Sequence, residues 1–596
     1  MIKNIKNTVK GAMFIAITTA LFLSVTGCSD LLDKNPQGTL NPAILTTQNT
    51  LDKLVIAAYA GLNGQNGDNV GDWSSSPDNM YYGDLGSGIM HKGSTTGDQN
   101  GMLLMEQYKP ETNLGVLNNK WRVMYNGVER CNDVLRILNS NEIENLSEAE
   151  KIQVISEIRF LRGYYHFEAK QLWNMVPYVD ETVEDPMRRV ANDRDIWPDI
   201  EADFTFAINN LPTSQSDPGR PTKYAAEAFL AKTYLFQQKF SEAKPLLDDV
   251  INSGKYNLHA NFYDNFNPEQ NNGVEAVFQA QTAVNLAGTD LARANRGGDL
   301  AYPNAPDQPN LSGAGFNQPT FDMVNSYKTD ANGLPLINSY WDTDFKHDQG
   351  IYSEGSEVPA GATDEFEPDM TTPVDPRLDW TVGRRGVPFH DWGTHPGMRW
   401  IRDQPSAGPY NQKKWIILKA QLDKYSNKGT AKFNALNVNI IRYAQVLLWA
   451  AECEIEVGDI DKARAYVNRI RARARDGIYV KLGESAPFGD GPYAANYVVD
   501  EYKDSWAGQS KEWARERVHF ETRLEFALEG MAFFDLVRWG TAENYLNAYV
   551  ARESKKIDYL KGVVFDANDR YRPIPLTQID NSYIDGKPTL KQNPGY

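Results

Sequence analysis

Apolar residues recur every three or four positions over residues 47–62, 121–138, 148–172, 196–211 and 511–537, the spacing that lines one face of a helix. In the last stretch Phe520, Leu524, Leu528 and Met531 make the apolar stripe, and Arg515, Glu516, Arg517, Glu521 and Arg523 make a charged one. Two more segments read as helix pairs. In residues 224–256, Leu230, Ala231 and Tyr234 precede a turn at Lys239-Phe240-Ser241, and Ala243, Leu247 and Val250 follow it. In residues 440–473, Ala450 and Ala451 precede Gly458-Asp459, and Ala463, Val467 and Ile470 follow.

In both pairs an Ala of the second helix falls twelve residues after an Ala of the first, Ala231 to Ala243 and Ala451 to Ala463. Small residues at these points let paired helices approach closely, which is the tetratricopeptide pattern. Its Tyr is kept at Tyr234 and replaced by Glu454 in the second unit. Residues 64–101 and 254–435 differ in texture: Gly, Asn, Asp, Pro and Trp are frequent and helical period is slight. Loop regions of that length are usually functional. The expected fold is therefore mostly α, a tetratricopeptide-like helical scaffold with short strands and long loop-rich insertions at about 64–101 and 257–435.

The first residues change the setting. Lys3, Lys6 and Lys10 precede an apolar run over 12–25 that is short for a bilayer span but suits a cleaved secretory signal. Val25-Thr26-Gly27-Cys28 then closes the run as a bacterial lipobox. The expectation is a signal peptide at 1–27, lipid attachment at Cys28, an anchor and linker at 28–45, and one domain over 46–596. Several acyl chains at about 0.8 kcal/mol per buried methylene make a stable tether. Removing three lysines takes the formal charge from −17 to −20, which argues against nucleic acid or anionic lipid as ligand. Cys131 and Cys453 sit within apolar helical patterns and read as small core residues.

No serine-nucleophile elbow, phosphate loop, dinucleotide fingerprint or zinc-ligand helix motif is present, so no catalytic residue, metal ligand or cofactor is assigned. His390 and His395 read as an exposed loop pair. Glycoside hydrolysis needs only two carboxylates, which 78 acidic residues do not exclude. The spacing of Glu525, Glu529, Asp535 and Arg538 reads as one internal ion-pair network on successive helical turns, with Gly530 giving a close helix contact.

Several strings together carry a family resemblance. They are Trp121-Arg122-Val123-Met124-Tyr125-Asn126, Arg159-Phe160-Leu161-Arg162-Gly163-Tyr164-Tyr165, Asp375-Pro376-Arg377-Leu378 and Ile441-Arg442-Tyr443-Ala444. Asn468-Arg469-Ile470-Arg471-Ala472-Arg473, Leu524-Glu525-Phe526-Ala527-Leu528-Glu529-Gly530, Phe534-Asp535-Leu536-Val537-Arg538-Trp539 and the closing Asn593-Pro594-Gly595-Tyr596 complete the set. In this order the chain resembles the SusD/RagB family, surface glycan-binding lipoproteins of Bacteroidetes. Asp30 and Asp33 resemble the acidic residues that accompany lipoprotein export to the cell exterior in that phylum.

The resemblance implies a non-catalytic receptor on the outer membrane, held there by its lipid anchor and probing the exterior. Its implied partners are an oligosaccharide or polysaccharide and a TonB-dependent, SusC-like transporter, with no nucleic acid and no cofactor. A peptide- or protein-binding scaffold and a secreted glycosidase are the alternatives. Sugar binding asks for flat aromatic faces bordered by groups that bond hydroxyls. Two loop clusters offer these: Trp73 with Asp78, Asn79, Tyr81 and Tyr82, and a second holding Tyr340, Trp341, Tyr352, Trp392, Trp400 and Tyr410. The expected ligand contacts are Trp73, Asp78, Asn79, Tyr81, Tyr82, Trp341 and Trp392. Arg384-Arg385 is a cation pair that could favour acidic glycans.

Overall fold

Ser147 shows how these helices begin: its hydroxyl accepts from the Glu150 amide while the Glu150 carboxylate takes the Ser147 amide at 3.0 Å, a capping box. Thr47, Thr222 and Ser510 cap three others through their hydroxyls. In the computed structural model, which describes residues 47–64, 73–140, 143, 145–183, 189–285, 293–349, 366–427 and 429–596, the longer helices are as follows. They are α1 (Gln48–Ala60), α2 (Gly115–Asn139), α3 (Glu148–Trp173), α4 (Trp197–Asn210), α5 (Lys223–Leu235) and α6 (Phe240–Asn252). After a long insertion come α7 (Tyr443–Val457), α8 (Ile460–Asp476), α9 (Lys511–Phe526) and α10 (Ala542–Glu553).

From α1 to α8 each helix packs on the next, including α6 on α7 across the insertion, and α9 lies on α7. This stack is the tetratricopeptide-like scaffold. Ala231, Ala243, Ala451 and Ala463 have no exposed surface, as close approach of paired helices requires. The insertion leaves and re-enters the stack at one place, because strand β2 (Ala276–Ala280) pairs antiparallel with β4 (Val438–Arg442), which runs directly into α7. Strand β1 (Met90–Gly93) likewise pairs with β3 (Phe316–Pro319), which joins the two loop-rich regions to one another. Cys131 and Cys453 are buried and free. The lipobox, Cys28 and the linker lie outside the described residues. No helix among the described residues is long and apolar enough to cross a membrane.

Helix α2 starts six residues before the expected position, and the helix expected over 511–537 is broken. Its first part stops at Phe526 because side chains from elsewhere take its terminal carbonyls. Tyr327 Oη donates to Leu524 O at 3.0 Å, Lys414 Nζ and Arg442 Nη2 to Glu525 O at 3.0 Å each, and Trp415 Nε1 to Leu528 O at 2.8 Å. Leu528 and Gly530 then turn left-handed, at φ 64° and 76°, before a short helix at Ala532–Arg538. Gly530 does not make the expected helix contact. A Cβ there would stand 1.7 Å from Asp78 O, so the glycine admits the backbone of the first insertion.

The expected ion-pair network is two networks. Asp535 pairs with Arg538 at 2.7 Å, and Arg538 also grips Glu452 at 2.6 Å. Glu525 and Glu529 belong to a different, deeper cluster. There Arg377, Lys414, Arg442, Arg471 and Arg473 meet Glu275, Asp375, Glu521, Glu525 and Glu529, five cations against five carboxylates, all buried except the half-buried Glu529. Helical spacing could not reveal it, because its members come from six separate segments. The C-terminal turn docks as its polar groups suggest: Asn593 Nδ2 donates to Trp173 O and Arg572 O at 2.9 and 2.8 Å.

Candidate functional site

Because α9 stops at Phe526 and the chain turns back into the short helix, a cavity of about 250 Å³ opens between them, walled on its far side by residues 337–341. Trp341 stands at this wall and is 37% exposed, the largest accessible aromatic surface of the cavity lining. Its ring is held edge-on to Tyr340 at 4.6 Å, and the Arg552 guanidinium lies 4.7 Å from its centroid. Tyr340 Oη and Arg552 Nε both donate to Asp322, at 2.8 Å each, so the indole rests on a fixed base. Trp539 and Tyr545 supply further rings. His519 stacks on Trp539 with centroids 3.6 Å apart and planes at 10°, and burial and nearby Arg538 hold this imidazole well below its usual pKa, hence neutral.

Among the described residues, two buried polar atoms of charged lining side chains, Arg523 Nε and Asp535 Oδ2, make no hydrogen bond, and neither does the lining Trp539 Nε1. Buried donors and acceptors are nearly always paired, so an unmatched donor and acceptor at the edge of a cavity mark a place for a polar ligand. The remaining atoms of both side chains are anchored: Arg523 Nη2 bonds Asp322 at 3.1 Å and Asp535 Oδ1 takes Arg538 Nε at 2.7 Å. The cavity shares the lining residues Glu516, His519, Trp539 and Thr541 with a second hollow of about 420 Å³ beside α6 and α7. An aromatic floor with fixed hydroxyl-bonding groups is chemistry suited to a sugar.

The expected contact residues are not brought together. Trp341 lines the cavity. Asp78 and Asn79 line a separate hollow of about 30 Å³, where Asn79 Nδ2 donates to Glu168 at 2.6 Å and Asp78 takes the Met80 amide at 3.0 Å. Tyr81 and Tyr82 are core rings at 1% exposure, and Tyr82 Oη donates to Ser74 O at 2.6 Å. Trp73 is half-buried with its ring edge-on to Tyr81 at 4.8 Å. Trp392 is buried and donates to Ile417 O at 3.0 Å; Tyr340, Trp400 and Tyr410 are buried too, and Tyr352 lies outside the described residues.

His390 and His395 are buried rather than exposed. His395 accepts the Gly397 amide at 3.1 Å and donates to Asn411 Oδ1 at 2.7 Å, and burial lowers its pKa to about 4. The Arg384-Arg385 pair is not open to a ligand: Arg384 grips Asp379 at 2.7 Å and Arg385 faces Asp348 at 3.5 Å, all buried. Arg523, Asp535 and Tyr545 lie on helices and Trp539 caps the short helix, so loop context in the sequence does not mark them.

Residues 274–596, more than half of the chain, match the SusD family model, and residues 30–235 match a second model described as starch-binding associating with outer membrane. The chain belongs to the SusD family. Among SusD-like relatives, a Bacteroides ovatus protein is 26% identical over 287 residues, 46% of this chain and 50% of that protein. One from Formosa agariphila is 22% identical over 552 residues, 88% of this chain and 89% of that protein. In three dimensions the chain resembles a SusD superfamily protein from Bacteroides vulgatus, with a TM-score of 0.65, 20% identity and 92% and 99% of the two chains covered. It also resembles surface glycan-binding protein A from Bacteroides thetaiotaomicron, solved in complex with laminarihexaose, with a TM-score of 0.62, 20% identity and 92% and 100% covered. In this SusD-family chain, most members of the deep ion cluster lie in the quoted strings from Asp375 to Gly530.

Proposed function

We propose that this protein is a non-catalytic glycan receptor, held at the outer membrane by a lipid on Cys28, that captures oligosaccharide and passes it to a TonB-dependent, SusC-like transporter. The observation that carries the binding step is the cavity at Trp341, where an accessible indole face stands beside the unmatched Arg523 Nε and Asp535 Oδ2. A pyranose offers an apolar face of C–H groups to the ring and a rim of hydroxyls that both accept and donate. Support for a glycan as ligand also comes from family membership, from a matching family model described as starch-binding, and from structural neighbours described as laminarin binding or solved with laminarihexaose. Delivery follows from tethering: an anchored receptor beside its channel works at high effective concentration, so moderate affinity suffices and release stays fast.

The test separates affinity from stability. Trp341→Ala weakens glycan binding by about 1–3 kcal/mol, the range for a buried interface aromatic, and leaves the thermal melt close to wild type because the residue is already 37% exposed. Titration calorimetry on the chain lacking its first 28 residues, run against a glycan array hit, measures it. Unchanged affinity would place the ligand elsewhere. Fatty-acid labelling of wild type and Cys28→Ser tests the anchor, with incorporation expected only in the former.

A further inference from the structure

The charges around the Trp341 cavity restrict which glycans it accepts. Every guanidinium near the site is already committed to a carboxylate. Arg523 and Arg552 share Asp322 at 3.1 and 2.8 Å, Arg538 holds Glu452 and Asp535 at 2.6 and 2.7 Å, and Arg515 takes Glu456 through both Nε and Nη2, at 2.5 and 2.8 Å. His519 is neutral. The negative side is less fully balanced. Glu516 lines both hollows with its side chain 52% exposed, and the cation paired with it among the described residues, Arg517, reaches it only at 3.5 Å while stacking on Trp513 at 3.4 Å. The unmatched Asp535 Oδ2 adds a second acceptor that demands a donor from the ligand.

We infer that the site accepts glycans without acidic groups, neutral or amino sugars, and rejects uronic acid and sulfated chains. A ligand carboxylate or sulfate entering here meets the exposed Glu516 carboxylate, and each nearby guanidinium among the described residues is already paired with a carboxylate, whereas a hydroxyl or ammonium can donate to Glu516 and a hydroxyl can also accept from Arg523 Nε. The formal charge of −17 reinforces this at long range. The inference rests on the proposed glycan-binding reading of the cavity and adds the ligand class to it.

An array bearing neutral, amino-sugar, uronate and sulfated oligosaccharides, probed at low salt where unscreened charge counts most, decides it. Wild type is expected to bind neutral or amino-sugar members only, and Glu516→Lys to gain binding to a uronate oligosaccharide by about tenfold or more, an effect lost at high salt. Trp341→Ala serves as the site control. Uronate or sulfated chains bound by wild type and lost in Trp341→Ala would overturn the charge inference while sparing the site. Neutral binding that survives Trp341→Ala, or no binding to any member, would overturn the site and the inference with it. An unaltered ligand range in Glu516→Lys would also overturn the inference.

Discussion

Replacing Glu525 with Gln tests whether the deep ion cluster holds the scaffold to its insertion. Glu525 is fully buried and accepts from Arg377 Nη1 at 2.9 Å, Arg442 Nη1 at 2.6 Å and Arg473 Nη2. Burial works against its charge, but Arg473, Arg442 and Arg377 outweigh that and hold the carboxyl well below the usual carboxylate range. With five cations against five carboxylates the cluster is neutral; the amide leaves one positive charge uncompensated and turns an NH₂ group toward a guanidinium. Removing one partner of a buried pair costs about 3–5 kcal/mol. Arg442 and Glu529 keep their own bonds at 2.9 Å, which places the expected loss near the lower end. Urea unfolding followed by far-UV circular dichroism gives the difference from the shift in midpoint, provided the slope is unchanged. A loss below about 1 kcal/mol would refute the reasoning, since exposed ion pairs cost that little.

Gly530→Ala should cost several kcal/mol or prevent folding, because φ is 76° and the added Cβ would lie 1.7 Å from Asp78 O; soluble yield and a thermal melt equal to wild type would contradict this. Burial depresses the His91 pKa, but its bonds to Glu106 at 2.7 Å and Glu553 at 3.0 Å more than reverse this and raise it from 6.5 to about 9. Its contribution to stability is therefore complete below pH 6.5 and lost as pH rises through about 9, a decline that melts of His91→Gln should not share. Asp84, raised by burial from 3.8 to about 7, has the same sign: its contribution is full below pH 3.8 and gone above pH 7. Asp84→Asn should accordingly flatten the melting temperature across that interval, and an unaltered profile would remove Asp84 from the account.

The helical stack was legible because two kinds of local signal agreed, apolar period and the twelve-residue Ala interval, and both survive in the burial of Ala231, Ala243, Ala451 and Ala463. The break after Phe526 was not legible. Residues 520–531 keep an apolar period through Leu528 and Met531, and what stops the helix is a set of donors, Tyr327, Lys414, Trp415 and Arg442, lying between 83 and 197 residues away in sequence. The same limit governs the aromatic candidates. Tyr81, Tyr82, Trp341 and Trp392 share residue type and loop context, and only tertiary packing separates the three covered rings from the accessible Trp341.

The elbow links scaffold to site. Glu525 and Glu529 lock the end of α9 onto Arg442 at the root of α7, and Asp84 fixes the turn by accepting the Gly530 amide at 2.7 Å. Four residues separate that glycine from Asp535, which is among the residues lining the cavity, and the short helix carries Trp539 beyond it. The left-handed residues at 528 and 530 are costly for Leu528 in particular, on the order of 1–2 kcal/mol. The buried charges around Glu525 and the strained turn thus fix the end of α9 and the start of the short helix on either side of the proposed ligand cavity.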